Sequence, residues 1–316
     1  MFGDRALFFV PRLIIILLAV MLLIVSNNYT RRETTVNNVY INNKLVNVTN
    51  VETFIPPFIN IVSDIFVAPD YGIAACGIRK SMSQLTINIM CLLYDTDTFL
   101  EKKQSLNDTW LTQKACEMKD RKFQTTPDKL ENDGNMTKIA FIRDPFDRFI
   151  SFYLDKCVRE NGCFKCRDDM HCIVRSLYEA LKRFTLNRND KPTYIEMHAA
   201  PLSWNCDFNT DLSDYYLLKM GAEKEARRTS VSQLANILSS KNVSSNLIHT
   251  IVEGSLNGET VHGTHRSTRR SMAESLVRTD PVIREYLHKI YFYDYIVFNF
   301  DRQVLDNEYQ ADVWKK

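Results

Sequence analysis

Residues 143–156 carry side chains whose types and spacing suit the binding of a phosphate monoester. Arg143 and Asp144 directly follow a short apolar run, and Ser151 lies two helical turns beyond them. A guanidinium can bind phosphate through two parallel hydrogen bonds, and a nearby hydroxyl can donate another. The alternative is an ordinary strand, turn and helix with one surface ion pair, and these residues by themselves leave both interpretations open.

A second basic segment, residues 79–84, also suits an anion. Arg79 and Lys80 occupy a turn between a strand-like run and a helical pattern, for which Ser81 is a candidate N-cap. The N–H groups and the dipole at a helix start attract anions, and a lysine beside them strengthens the attraction. The GxxxxGK[ST] pattern is absent, so this is not a P-loop. A solvated Arg-Lys turn is the alternative.

The elements around these segments predict an α/β fold. Apolar runs at 71–76 and 139–142 predict buried strands, and each is followed by apolar residues at helical spacing. Asp144 and Pro145 suit the N-cap and the first position of the second helix. Further helices are predicted at 170–184, 230–238, 246–252 and from 280 onward, with a strand at 215–220. This alternation indicates a largely parallel sheet flanked by helices, with ligands at the carboxyl ends of the strands.

These segments, in this order, resemble the Golgi carbohydrate sulfotransferases, specifically the nematode branch of the chondroitin 4-O-sulfotransferase-like group. The family motif RDPxxRxxSxxxxK is matched in full by Arg143, Asp144, Pro145, Arg148, Ser151 and Lys156. The lysine loop of the family corresponds to Lys80, Ser83 and Gln84, with Gln84 where Thr is usual. Weaker similarities follow towards the C-terminus, and the resemblance spans residues 70–301.

The resemblance implies the sulfotransferase fold and 3′-phosphoadenosine 5′-phosphosulfate (PAPS) as the co-substrate. The residues implied to contact the 5′-phosphosulfate are Arg79, Lys80, Ser81, Ser83 and Gln84. Arg143 and Ser151 are implied to hold the 3′-phosphate. In such transfers the enzyme mainly positions reactants and stabilises charge, so Lys80 would stabilise the leaving oxygen and no metal is expected. The implied acceptor is a sugar hydroxyl of chondroitin, or of another glycosaminoglycan or related glycan.

A sugar hydroxyl is a poor nucleophile, so a general base is expected, and histidine suits this role near neutral pH. His198, in the segment MHAAPLSWNC, is the first candidate for a catalytic base. His265, in the segment HGTHRSTRR, is the second. A lone histidine is more often structural, and Glu196 is a carboxylate alternative close to His198.

Two basic runs could contact the carboxylates and sulfates of a glycosaminoglycan. One covers 265–270, and the other comprises Lys224, Arg227 and Arg228. A solvated face is the alternative for each run. The net charge of the chain is only +2, so no global field draws it to nucleic acid, and no nucleic-acid partner is expected.

The N-terminal segment predicts the compartment. Residues 7–25 are apolar apart from two residues and predict a signal-anchor transmembrane helix. Arg5 and Arg12 lie on the N-terminal side of the apolar core, so the positive-inside rule keeps that end in the cytosol. We therefore expect a single-pass type II protein of the Golgi membrane with a lumenal catalytic domain. A cleaved signal peptide is the alternative.

The predicted organisation has five parts. They are a cytosolic tail at 1–6, the anchor at 7–25, a lumenal stem at 26–69, the catalytic domain at 70–301 and a C-terminal tail at 302–316. Five glycosylation sequons suit a lumenal body, at Asn28, Asn47, Asn107, Asn135 and Asn242.

Eight cysteines also suit an oxidising compartment. A cluster of four, Cys157, Cys163, Cys166 and Cys172, predicts two local disulfides in any of three pairings. A zinc site is the alternative for this cluster, although the second paired knuckle of a zinc ribbon is missing. Cys91 lies in an apolar helical pattern and is a candidate free thiol.

Two other classes of protein remain open. A type II glycosyltransferase would have the same topology, and Asp95-Thr96-Asp97 is a DXD motif that could hold Mn²⁺ with a nucleotide sugar. That class explains neither RDPFDR nor the lysine loop. A membrane-anchored, catalytically inactive glycan-binding relative is the third possibility.

Overall fold

The computed structural model describes residues 38–41, 44–47, 53–109, 112–114, 116, 123–130, 136–187, 190–221, 224–257 and 268–310. The chain divides into two compact units, one formed by Met1–Phe54 with Gln310–Lys316 and one by Ile55–Tyr309. In the first unit, β1 (Asn38–Ile41) and β2 (Lys44–Asn47) pair antiparallel. Every predicted site residue that the structure describes belongs to the second unit.

A five-stranded sheet forms the centre of the second unit. Its strands are β3 (Asp64–Ala68), β4 (Ile73–Gly77), β5 (Gln124–Thr125), β6 (Thr137–Ile142) and β7 (Tyr215–Lys219). The spatial order is β5-β3-β4-β6-β7. β4, β6 and β7 run parallel, whereas β3 is antiparallel to both of its neighbours. The sheet is therefore mixed, and the prediction of a largely parallel sheet is wrong on the β3–β5 side.

The connection between β3 and β4 explains the antiparallel side. Pro69–Tyr71 forms one turn of 3₁₀ helix, and Gly72 follows it with a φ of 61°. Strands joined by so short a connection pair antiparallel, because parallel pairing needs a crossover of about a dozen residues or more. β3 also precedes residue 70, so the sheet includes residues that the sequence assigned to the stem.

Helices and loops bury both faces of this sheet. The helices are α1 Ser83–Tyr94, α2 Thr96–Glu101, α3 Pro127–Leu130, α4 Pro145–Phe152, α5 Met170–Leu186, α6 Tyr194–Ala199, α7 Phe208–Asp211, α8 Lys224–Ser240, α9 Ser245–Asn257, α10 Thr268–Thr279, α11 Pro281–Val297 and α12 Asn307–Gln310. One hydrophobic core joins α1, α8 and α9 to Ile73 and Ile139. Their strand neighbours Ala74 and Ala140 point to the opposite face and are just as buried.

All eight cysteines lie in disulfides. The pairs are Cys76–Cys206, Cys91–Cys116, Cys157–Cys163 and Cys166–Cys172. The last two confirm the predicted local disulfides and remove the zinc alternative, since the thiols are consumed. The prediction of a free thiol at Cys91 is wrong because Cys116, 25 residues further along the chain, lies beside it.

Within the described part of the chain, no helix has both the length and the apolar character needed to cross a bilayer. The predicted anchor at 7–25 lies outside the described residues, as do the sequons at Asn28 and Asn135. Asn242 is exposed in a turn, where an oligosaccharide could be accommodated. The anchor, its orientation and the glycosylation stay predictions.

Candidate active site

The two basic segments singled out in the sequence come together at one edge of the sheet. β4 and β6 are parallel neighbours, with Cys76 opposite Ala140. The loop that carries Lys80 follows β4, and Arg143 directly follows β6. Because the carboxyl ends of parallel neighbours meet at the same edge, both residues lie where open α/β sheets bind ligands.

The loop between β4 and α1 is tightly wound. Lys80 and Met82 adopt left-handed backbone conformations, with φ values of 64° and 60°, which are uncommon for residues other than glycine. α1 begins at Ser83 with Met82 as its N-cap, so the prediction that Ser81 caps this helix is wrong. Ser81 is buried, and neither its hydroxyl nor the side-chain nitrogen of Gln84 has a hydrogen-bond partner among the described residues. These groups and the first N–H groups of α1 can donate to an anion.

A π-helix brings further charged residues to this loop. Tyr153–Arg159 continues α4 without a break. The Lys80 ammonium donates to the Asp155 carboxylate, and Lys156 Nζ lies 3.3 Å from Asp155 Oδ2. Arg159 pairs with the other oxygen of Asp155. π-helices are rare and occur frequently at functional sites, which fits their role here in placing this carboxylate between three cations.

The charge state of Lys80 follows from this environment. Burial lowers the pKa of Lys80 to about 8; Asp155 opposes the shift, whereas Lys156 and Arg159 add to it. Burial alone would raise the pKa of Asp155, but the neighbouring cations outweigh burial and lower it. At neutral pH the pair is therefore an ammonium and a carboxylate, with the ammonium held at the sheet edge.

Arg143 has unused hydrogen-bonding capacity in a buried position. It is 5% exposed, and its Nε and Nη2 have no hydrogen-bond partner among the described residues. Asp147 Oδ2 lies 3.9 Å from Nη2, too far for a hydrogen bond. Asp144, as predicted, caps α4 and accepts the N–H groups of Phe146 and Asp147 at 2.9 and 3.1 Å. A buried guanidinium with open donors is costly unless an anion completes it, so the geometry fits a phosphate.

The other residues predicted to bind nucleotide lie on the two loop and helix segments that carry Lys80 and Arg143. Ser83 is the half-buried first residue of α1, and Ser151 is half-buried on α4. The Arg79 guanidinium pairs with Asp64 of β3 at 3.4 Å. The side chain of Arg79 is therefore directed to β3, and its contribution to an anion site would come from its backbone.

Arg148 connects the two halves of the site, a role that the sequence did not reveal. This side chain is 1% exposed. Its Nε donates to the Arg79 carbonyl at 2.9 Å, its Nη1 to that of Ala200 at 2.6 Å and its Nη2 to that of His198 at 3.4 Å. One guanidinium thus fixes the lysine loop relative to the His198 segment. The sequence shows Arg148 as the second arginine of RDPxxR, but it does not show its partners, because they lie 50 to 69 residues away along the chain.

His198 lies near the lysine loop, and its imidazole is the tautomer whose Nε2 can accept a proton. Its Nδ1 is 2.7 Å from the Tyr194 carbonyl, which can only accept, so Nδ1 carries the proton and Nε2 keeps a free lone pair. Burial lowers the pKa of His198 to about 3, and Lys80 and Lys156 lower it further. The imidazole is neutral at physiological pH. It is a weak base until an anion offsets these lysines.

An exposed aromatic ring flanks His198 and was also missed in the sequence. Tyr194 is 53% exposed, and its ring centroid lies 4.2 Å from that of His198. The Lys156 ammonium lies 4.9 Å from the centroid of the Tyr194 ring. A single tyrosine carries no sequence signal of exposure, so only the fold reveals this surface.

Glu196, the carboxylate alternative to His198, has a structural role. Its Oε2 accepts the Thr193 N–H at 2.6 Å in a capping box, and its Oε1 lies 3.1 Å from Arg183. Both oxygens are engaged, which removes Glu196 as a free base. His265 lies outside the described residues and stays a prediction.

Tyrosine and aspartate side chains of α11 support the site. The Tyr291 hydroxyl donates to the Ala199 carbonyl at 2.7 Å, and the Tyr295 hydroxyl donates to Asp144 at 3.2 Å. Asp294 accepts two backbone N–H groups of the segment that follows Ala199, at 2.6 and 3.0 Å. Burial raises the pKa of Asp294 to about 6. This helix therefore holds both the cap of α4 and the segment that carries the candidate base.

The DXD motif has a structural explanation. Asp95 is the N-cap of α2, and its side chain accepts the Thr98 N–H at 3.3 Å. Among the described residues, no three His, Cys, Asp or Glu side chains come together as a metal-binding group.

Comparison with known proteins agrees with this geometry. Residues 63–301 match the model of the Sulfotransferase family. Carbohydrate sulfotransferase chst-1 of Caenorhabditis elegans is 34% identical over 269 residues, which cover 81% of this chain and 81% of that protein. The C. elegans protein C18B2.2 is 29% identical over 262 residues, covering 79% of this chain and 73% of that protein. No solved structure matches the chain significantly. The family match spans most of the chain and the whole of the site, and the chain belongs to the sulfotransferase family.

Proposed function

We propose that the chain transfers the sulfuryl group of PAPS to a hydroxyl of a glycan, either chondroitin or a related polysaccharide. The observation that carries this proposal is the meeting of the Lys80 loop and Arg143 at the ends of adjacent parallel strands, with two open donors on the buried guanidinium. Two neighbouring anion sites suit a nucleotide that is charged at both its 5′ and its 3′ end. The similarity to a carbohydrate sulfotransferase supports a glycan acceptor.

The chain can hold both ends of this nucleotide. The donors that would bind the 5′ end are the side chains of Ser81, Ser83 and Gln84 and the first N–H groups of α1. Arg143 and Ser151 would bind the 3′-phosphate. Lys80 would stabilise the negative charge that develops on the leaving phosphate oxygen, and Asp155, its present partner, would then share the ammonium with the nucleotide.

His198 and Tyr194 would form the acceptor side. As the acceptor oxygen bonds to sulfur and the bond from sulfur to the phosphate oxygen breaks, the hydroxyl proton would pass to His198 Nε2. The negative nucleotide would offset Lys80 and Lys156 and thereby raise the pKa of His198 towards the useful range. The exposed Tyr194 ring, 4.2 Å from His198, offers a flat surface on which a sugar ring can pack.

The test is transfer from labelled PAPS to a panel of desulfated glycans by the purified full-length protein in the presence of a metal chelator. We expect label in chondroitin or a related glycan. A parallel reaction with labelled nucleotide sugars and Mn²⁺ tests the glycosyltransferase alternative. Transfer only in that second reaction would contradict the proposal. Nucleotide binding without transfer to any glycan would favour an inactive relative.

We also propose that the catalytic domain lies in the Golgi lumen, behind a type II anchor at 7–25. Four disulfides suit an oxidising compartment. A C-terminal tag should be protected from protease in sealed microsomes. Digestion of that tag without detergent would exclude this topology.

A further inference from the structure

Two arginines that are distant in sequence lie near enough to Arg143 to act on its charge. Arg270 lies on α10, which packs against α4, and it is 5% exposed. Its Nη2 is 3.5 Å from Asp147 Oδ1, while Arg143 Nη2 is 3.9 Å from Asp147 Oδ2. The two guanidiniums therefore flank the same carboxylate, and neither distance is that of a strong hydrogen bond.

Arg227, half-buried on α8, lies within electrostatic range of Arg143. Its Nε is enclosed and has no hydrogen-bond partner among the described residues. Burial lowers the pKa of Arg143; Asp147 and Asp144 oppose this shift, whereas Arg270 and Arg227 add to it. Both arginines thus act on the buried guanidinium as like charges, a cost that the free protein carries.

The neighbouring carboxylates do not balance these three cations. Burial raises the pKa of Asp144, which caps α4, and Glu274 accepts from Arg270 Nε at 2.7 Å. Asp147 is left between two arginines. Arg143 Nε and Nη2 and Arg227 Nε have no hydrogen-bond partner among the described residues. A ligand with several acceptor oxygens and more than one negative charge would satisfy these donors and balance the cations.

We propose that Arg270 and Arg227, together with Arg143, form the pocket that selects the 3′-phosphate of the nucleotide. This inference rests on the proposed function and adds residues from α8 and α10 to its nucleotide site. It replaces the glycan-binding interpretation for these two side chains, because Arg270 is buried and the Nε of the half-buried Arg227 is shielded from solvent, so both are poorly placed to meet a polysaccharide. Their sequence neighbours remain on the surface: Arg228 is 53% exposed and pairs with Glu225 at 3.5 Å, and Arg269 is exposed.

Calorimetry on the full-length protein tests the proposal with adenosine 3′,5′-bisphosphate and adenosine 5′-monophosphate as probes. Arg227→Gln and Arg270→Gln should each weaken bisphosphate binding about 10- to 100-fold, the effect of a lost charge-assisted contact. Monophosphate binding should stay at the wild-type value, which also reports that the variants are folded. The matched controls Arg228→Gln and Arg269→Gln should leave both affinities unchanged.

Arg270 also pairs with Asp147 and Glu274, so its removal could unfold the chain. Arg270→Lys keeps the charge and should give an intermediate loss confined to the bisphosphate. Equal losses for both nucleotides, or wild-type bisphosphate affinity in both glutamine variants, would overturn the proposal. A wild-type protein that binds neither nucleotide would contradict the proposed function itself, a result distinct from these.

Discussion

Replacing Arg148 by lysine should separate the two halves of the site without removing any group that touches the reactants. Arg148 donates to the carbonyls of Arg79, Ala200 and His198 at 2.9, 2.6 and 3.4 Å. A lysine ammonium has one nitrogen on a flexible stem and cannot reproduce this fork. At least two of the three carbonyl partners should therefore lose their donor.

The magnitude follows from burial. A buried acceptor left without a partner costs about 1–3 kcal/mol, so two such losses should lower the free energy of unfolding by about 2–6 kcal/mol. The longest contact, at 3.4 Å, contributes least and favours the lower end of that range. Turnover should fall as well, because a displacement of about 1 Å between the catalytic groups can cost about 100-fold in rate.

Denaturant unfolding and steady-state kinetics of Arg148→Lys measure the two effects. We expect a lower free energy of unfolding and a lower kcat, with the KM for the acceptor less affected, since the acceptor surface itself is intact. Arg175→Lys, on the exposed side of α5, is the matched control and should change neither. Full turnover in an Arg148→Lys protein of reduced stability would refute the positioning role.

Further predictions concern Lys80, His198 and Tyr194, the residues proposed to act on the nucleotide and the acceptor. Lys80→Ala should lower kcat by about 100- to 1000-fold, with a smaller loss of nucleotide affinity, because charge on the leaving oxygen develops only during transfer; a normal kcat with a raised KM would contradict this. The proposed role of Lys80 requires its protonated form, and burial lowers its pKa to about 8, so wild-type kcat/KM should decline as pH rises through about 8. His198→Ala should cost about 10²- to 10⁴-fold in transfer while nucleotide binding persists. NMR titration should find the pKa of the His198 imidazole near 3 in the free protein and higher with bound bisphosphate, and a downward shift on binding would contradict the charge argument. Tyr194→Ala should raise the KM for the glycan more than Tyr194→Phe, and equal effects would assign the role to the hydroxyl instead of the ring.

Local signals explain which parts of the fold were predictable. The apolar run before Arg143 and the Asp-Pro pairs at Asp144 and Asp280 mark a strand end and two helix starts, because capping depends on residues a few positions apart. The position of β3 was not predictable, since its apolar residues follow a stem-like segment. The disulfide partner of Cys91 was not predictable either, because it depends on where a separate segment packs.

The candidate site also has one part that the sequence predicts and another that it does not. The sequence placed Lys80 and Arg143 each after a predicted strand, and their meeting agrees with the rule that parallel strands present their carboxyl ends at one edge. The approach of Asp155 depends on a π-helix, which leaves no periodic pattern in the sequence. The carbonyl partners of Arg148 and the burial of Arg270 are long-range, and a basic run in the sequence cannot distinguish an enclosed arginine from a solvated one.

The central claim is that the ends of β4 and β6 together hold one 3′-phosphoadenosine nucleotide, with Arg143 at its 3′-phosphate. The most direct measurement is calorimetric titration of wild-type and Arg143→Ala protein with adenosine 3′,5′-bisphosphate and adenosine 5′-monophosphate. Loss of a charge-assisted contact of about 2 kcal/mol should weaken bisphosphate binding by about 30-fold and leave monophosphate binding unchanged. Equal weakening of both nucleotides, or no weakening of either, would contradict the claim.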